Sequence, residues 1–275
     1  MSIIDYWEYG FIQRAVIAGA FISVLCSTLG VLLVLRRLSM IGDGLAHVAF
    51  GSVAIGLLFK VYPLYVSLPI VMASSYGILK LMERARIYGD AAIGILSALG
   101  IACGVLVASL AGGFNVDLFS FLFGNILSIS EEEVYISIIL SLVVLCVIVF
   151  NYHDIFSITF DEEFARAGGI NVGRINTMIV LFTAITVVLT MKVVGIMLTS
   201  ALLIFPAVTA FQLARGFTNA LIIAAVVAFF ALITGIALSL YLNMPTGASI
   251  VLVNFTLFIA AFMSRNAINA ESRRY

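Results

Sequence analysis

The sequence predicts an all-α polytopic membrane protein, a bundle of about eight to nine transmembrane helices. Two observations carry that prediction. Of the 275 residues 63% are hydrophobic and only 10% charged, with a mean hydropathy of +1.22, and no ordinary soluble domain is built from such a composition. The apolar residues also fall in long runs, and a helix crosses a ~30 Å hydrocarbon core with about 20 such residues. At roughly 30 residues per span and connection, the length allows about nine spans and leaves no room for a sizeable extramembrane domain.

Taken in order, the runs occupy residues 14–35, 41–59, 62–80, 91–111, 133–150, 176–191, 193–214, 218–242 and 246–263. Residues 1–10 carry Asp5 and Glu8 and lack the basic start of a signal peptide, so the first run is expected to be retained as a span. The sixth and seventh runs depend on one turn. Residues 176–214 form 39 residues with Lys192 as the one charge, and a single helix of that length would measure about 58 Å. The chain must therefore turn near Lys192 and Gly195; a re-entrant segment there would reduce the count to eight. Small residues four apart, Gly100 with Gly104 and Gly235 with Ser239, predict close helix packing. With no Pro/Ser-rich linker, low-complexity tract or internal repeat, residues 1–275 are expected to form one domain.

Basic residues set the orientation, because Lys and Arg collect in cytoplasmic loops. If the 151–175 loop is cytoplasmic, that side holds Arg36, Arg37, Lys80, Arg84, Arg86, Arg166, Arg174, Arg215, Arg265, Arg273 and Arg274, leaving Arg14, Lys60 and Lys192 outside. The 112–132 connection and its edge hold Asp117, Glu131, Glu132 and Glu133 but no basic residue, in agreement with an outer location. An outside amino terminus and an inside carboxyl terminus follow. The formal net charge of zero argues against a nucleic-acid partner held through its phosphates. Cys26, Cys103 and Cys146 lie in apolar runs without CxxC spacing and read as packing residues, with soft metal ligation the lesser alternative.

One ionisable cluster falls within the runs, at the start of the second, Gly42-Asp43-Gly44-Leu45-Ala46-His47. Residues four apart share a helix face, so Asp43 and His47 can pair with each other or hold a divalent cation together. A structural pair, with Asp43 bonded to the imidazole or capping the helix, is one reading. Inside a membrane the other is favoured, because intramembrane ionisable groups line substrate, ion or proton paths. One pair supplies two ligands; a two-fold homodimer would supply the four N/O ligands that zinc accepts. This topology places Asp43 near the cytoplasmic end of its span.

In Phe160-Asp161-Glu162-Glu163-Phe164-Ala165-Arg166-Ala167-Gly168-Gly169, Asp161 or Thr159 can cap a short helix, two acids suit its first turn, and the glycines can end it. Phe164 and Ala165 form its apolar side. Its three acids against one Arg disfavour lipid binding and favour a protein partner. Further on, Pro206 kinks the seventh span, either to shape a cavity or to accommodate packing. His153, in Asn151-Tyr152-His153-Asp154, reads as a solvated loop residue.

Together these stretches resemble the ABC-3 family, the permease subunits of bacterial ABC importers for zinc and manganese. Leu35-Arg36-Arg37-Leu38-Ser39-Met40-Ile41-Gly42-Asp43-Gly44-Leu45-Ala46-His47 is similar to its signature at the entry to the second span. Phe160 to Gly169 resembles its cytoplasmic loop, and Val194-Gly195 followed by Ala201-Leu202-Leu203-Ile204-Phe205-Pro206-Ala207 its later conserved segment. The resemblance implies a type II ABC-importer-like fold in the bacterial cytoplasmic membrane, a second copy of the chain, cytoplasmic ABC ATPase subunits and an extracytoplasmic metal-binding protein. It implies that Asp161, Glu162, Phe164, Ala165 and Gly168 form a coupling helix against the ATPase and that Asp43 and His47 hold or gate the metal; Gly195 and Pro206 are the candidate kink and pathway residues. Zinc is the first choice of substrate, since imidazole and carboxylate suit a tetrahedral cation; manganese or iron(II) is the alternative. No permanently bound cofactor is implied. The chain has no GxxxxGK[ST] phosphate loop, so ATP hydrolysis belongs to a separate chain. Two rivals stand further off: a proton-coupled carrier using Asp43 and His47, and an intramembrane protease, for which neither HExxH nor a second intramembrane acid is present.

Overall fold

The computed structural model describes residues 9–85, 87–111, 113, 116–125 and 129–272. Among them every regular element is helical. The chain runs α1 (Gly10–Leu35), α2 (Ile41–Leu58), α3 (Pro63–Ala85), α4 (Gly89–Leu110), α5 (Val116–Phe123), α6 (Glu131–Phe150), α7 (Tyr152–Phe160), α8 (Glu162–Ala167), α9 (Val172–Val193), a 3-10 turn (Ile196–Leu198), α10 (Thr199–Leu213), α11 (Phe217–Leu242) and α12 (Thr246–Ser272). Among the described residues nine segments are long and apolar enough to cross a membrane, and they coincide with the nine predicted runs.

Local chemistry explains where these helices stop. Arg37, Lys60 and Asn243 are the described non-glycine residues with positive φ, at 57°, 55° and 53°, and each lies just beyond a helix carboxyl end. A left-handed residue there lets the following N–H turn back onto an orphan carbonyl: Leu38 N–H donates to Leu33 O at 2.8 Å and Val61 N–H to Gly56 O at 2.9 Å. α6 starts with a capping box, in which Glu133 N–H donates to Ser130 Oγ and Ser130 N–H to Glu133 Oε2 at 2.8 Å. Buried Glu133 also accepts from Tyr62 Oη; burial and this carboxylate both push the Tyr62 phenol pKa up.

The predicted turn between the sixth and seventh spans falls at Gly195, where φ is +96°. A Cβ there would stand 2.5 Å from Gly124 N and Leu122 O, so both the conformation and the approach of the chain between α4 and α6 require glycine. Side-chain contacts separate the two ends of the bundle. Arg36 meets Asn176 and Glu162, Tyr152 meets Thr218, and Arg265 meets Gln212 at the basic end. Tyr62 with Glu133 and Arg14 with Glu131 mark the other.

α1 and α2 are the most enclosed spans. α1 packs among α6, α9, α10 and α11, and α2 among α3, α4, α9 and α10. The small-residue approaches are as expected: a Cβ on Gly235 would lie 2.6 Å from Ile250, and one on Gly100 would lie 2.7 Å from the backbone of His47 and Val48. Cys26 is buried with its Sγ 3.3 Å from Thr190 Oγ1, and all three cysteines are free. Two short helices were not anticipated: α5 between α4 and α6, and α7, which precedes the expected α8 in the 151–175 loop.

Candidate functional site

Asp43 and His47 lie on one face of the first two turns of α2. His47 Nε2 and Asp43 Oδ2 are 3.6 Å apart, too far for a hydrogen bond. Two ligands at about 2.05 Å from a tetrahedral cation stand about 3.3 Å apart, so a small contraction would let both atoms grip one ion. The Asp43 side chain retains 39% exposure and that of His47 23%, which leaves lone pairs open to an incoming ligand. This geometry weighs against a self-satisfied structural pair. Among the described residues no group of three or more His, Cys, Asp and Glu side chains could hold a metal ion. A complete shell around this pair therefore needs donors from another source.

Glycines hold the pair in place. Gly42 faces Leu203 and Ser200, Gly44 faces Ile93, and Gly100 presses α4 against the carbonyl of His47 itself. Ser200 Oγ donates to Asp43 Oδ1 at 3.4 Å, a long bond. Ser200 stands thirteen residues before Leu213, about 20 Å along its helix. Thus Asp43 occupies the first turn of its own helix yet meets the other wall of the site well inside the bundle. Ser200 and the Gly100 approach carry no metal-ligand spacing in sequence and were not read as site features. Gly195 turns the chain just before this wall, and Pro206 sits buried inside α10.

At the basic end α8 forms as its cap predicts. Asp161 Oδ1 accepts from Phe164 N–H at 2.9 Å, and Glu162 pairs with Arg166 at 3.0 Å one turn on. Phe164 is 73% exposed while Ala165 is 1% exposed. These two residues, read together as one apolar side, face opposite ways: Ala165 anchors α8 to the rest of the chain and Phe164 projects from it. Asp161, Glu162 and Gly168 are exposed as well. Behind α8, α7 buries Ile155 and Ile158 and joins Tyr152, Phe156 and Phe160 to Phe217 of α11 in an aromatic cluster. His153 is exposed, as expected, but it belongs to the first turn of α7 and not to a loop.

Arg36 lies between α8 and the spans. Its side chain is 9% exposed; Nη2 donates to Asn176 Oδ1 at 2.5 Å and lies 3.9 Å from Glu162 Oε2. Burial lowers the Arg36 pKa, and the neighbouring Glu162 charge works against that shift.

Comparison with known proteins matches the family model described as the ABC 3 transport family over residues 8–265. The manganese transport system membrane protein MntC of Halalkalibacterium halodurans is 32% identical over 259 residues, 93% of this chain and 87% of its own. The high-affinity zinc uptake system membrane protein ZnuB of Haemophilus influenzae is 29% identical over 255 residues, covering 92% of this chain and 97% of its own. A solved structure of PsaBC from Streptococcus pneumoniae in complex with Fab superposes with a TM-score of 0.82 at 25% identity, covering 94% of each chain.

Proposed function

The chain belongs to the ABC 3 transport family, and from that premise we propose that it is the permease that carries a divalent transition metal, zinc by preference, across the bacterial cytoplasmic membrane. It is a transport subunit of an ABC-type metal importer and not an enzyme; ATP hydrolysis resides in a separate chain. The observation that carries the substrate reading is the open Asp43 and His47 pair, spaced to share one cation and partly exposed inside the bundle.

Two copies related by a two-fold axis would bring two carboxylates and two imidazoles to one ion, a set suited to tetrahedral zinc. Such a sparse site also releases its ion more readily than a closed thiolate cage. An extracytoplasmic binding protein delivers the ion at the end marked by Tyr62 and Glu133, where α1 begins. The end carrying Arg36, Arg174 and Arg265 faces the cytoplasm, by the bias of basic residues. There Phe164, flanked by Asp161, Glu162 and Gly168, inserts into the ATPase, with Ala165 holding α8 to the bundle. ATP-driven closure of the partner pulls on α8, and the helices on either side of Gly195 and Pro206 rock between outward-open and inward-open states.

Manganese is the second reading, favoured by the 32% identity to the H. halodurans manganese protein; manganese would draw on more oxygen ligands. The test is uptake into proteoliposomes holding this chain with its ATPase and binding protein, comparing zinc, manganese and iron(II) with and without ATP. Uptake requiring ATP and favouring zinc is expected. Uptake by the permease alone under a pH gradient would instead make Asp43 and His47 a proton-linked carrier site.

A further inference from the structure

We propose that Arg36 is a positioning residue that passes the movement of α8 to the metal pair, through Glu162 and Asn176 on one side and the α1–α2 connection on the other. The inference rests on the importer reading above. Among the described ion pairs, Arg36 with Glu162 is the one that joins α8 to another part of the bundle; the other pair made by α8, Glu162 with Arg166, is internal to it. Glu162 divides its two oxygens between these arginines, Oε1 3.0 Å from Arg166 and Oε2 3.9 Å from Arg36. A small displacement of α8 therefore changes the Arg36 contact first.

The backbone of Arg36 is equally well placed. It caps α1, and Ile41 begins α2 five residues later. That connection has no slack: Arg37 is left-handed, Leu38 N–H donates to Leu33 O, and Ile41 N–H donates to Leu38 O at 3.0 Å. A tug on the guanidinium thus reaches α2 two residues before Asp43. The Asn176 bond adds the start of α9 as a second arm, and a cavity of about 370 Å³ lined by Arg36, Thr159, Glu162 and Asn176 leaves room for the side chain to shift. A guanidinium offers several fixed donors and can hold both partners at once, which a lysine ammonium on its flexible stem does less well.

The test compares wild type with Arg36→Met, Arg36→Lys and Asn176→Leu in the complete complex in proteoliposomes, reading ATPase association, ATP hydrolysis and metal uptake together. Arg36→Met is expected to keep the ATPase bound and hydrolysing while the ATP consumed per ion imported rises at least tenfold. Arg36→Lys should fall between, Asn176→Leu should reproduce the uncoupling, and the double variant Arg36→Met/Asn176→Leu should be no worse than the single one, as members of one linkage behave. An unchanged ratio in both single variants beside ATP-dependent wild-type uptake would overturn the inference and leave the importer reading standing. Loss of the complex in Arg36→Met with normal coupling in Asn176→Leu would also overturn it, by reducing Arg36 to a structural residue. Wild-type uptake indifferent to ATP would remove both readings together.

Discussion

The contact between α4 and His47 yields a quantitative prediction. A methyl group added at Gly100 would lie 2.7 Å from His47 O, Val48 Cα and Val48 N, all backbone, where ordinary contacts begin at 3.4 Å. No rotamer change relieves that clash, so α2 and α4 must part by about 0.7 Å, the difference between those distances. Overpacking of this kind costs about 1–3 kcal/mol. The same displacement exceeds the roughly 0.2 Å within which metal ligands must be placed. Gly100→Ala should therefore lower stability in thermal denaturation of the detergent-solubilised protein and reduce metal uptake at least tenfold in the reconstituted complex. Gly94, on the same helix, has nothing within 4 Å of its built Cβ and provides the control. Gly94→Ala should retain both properties. Equal stability and equal uptake in the two variants would refute the claim that the α4 approach fixes His47.

Phe164→Asp should weaken ATPase association by about 2 kcal/mol, roughly 30-fold, as loss of an exposed aromatic anchor does, with metal binding little changed; a pull-down and a binding isotherm separate the two effects. Gly195→Ala should destabilise the protein by about 1–3 kcal/mol through its positive φ alone, and its 2.5 Å approach to Leu122 and Gly124 adds to that; denaturation of the purified protein measures it, and wild-type stability would show that the turn tolerates a side chain.

Much of the fold was legible because a membrane turns length and polarity into geometry. The 39-residue run forced a turn, and Gly195 supplied it because a glycine is needed where φ reaches +96°. Of the two candidate caps for α8, Asp161 and Thr159, it is Asp161 whose side chain starts the helix. The short helices α5 and α7 escaped notice because each is brief and owes its stability to tertiary contacts, such as those of Leu118, Phe121, Ile155 and Ile158 with the core, and local pattern does not encode those contacts. The outward turn of Phe164 and inward turn of Ala165 followed from how α8 docks, since adjacent residues on so short a helix are not assigned by periodicity. At the site, Asp43 and His47 stood out by their four-residue spacing. Ser200, Gly100 and Asn176 did not, because each reaches its partner across a long stretch of chain: 157 residues separate Ser200 from Asp43 and 140 separate Asn176 from Arg36.

The most direct test of the central claim is metal uptake by the complete reconstituted complex carrying Asp43→Asn or His47→Ala. Each variant should abolish ATP-driven uptake while the permease still assembles with its ATPase, because each removes one of the two side chains proposed to hold the passing ion. Normal uptake by both variants would contradict the assignment of Asp43 and His47 to the metal path.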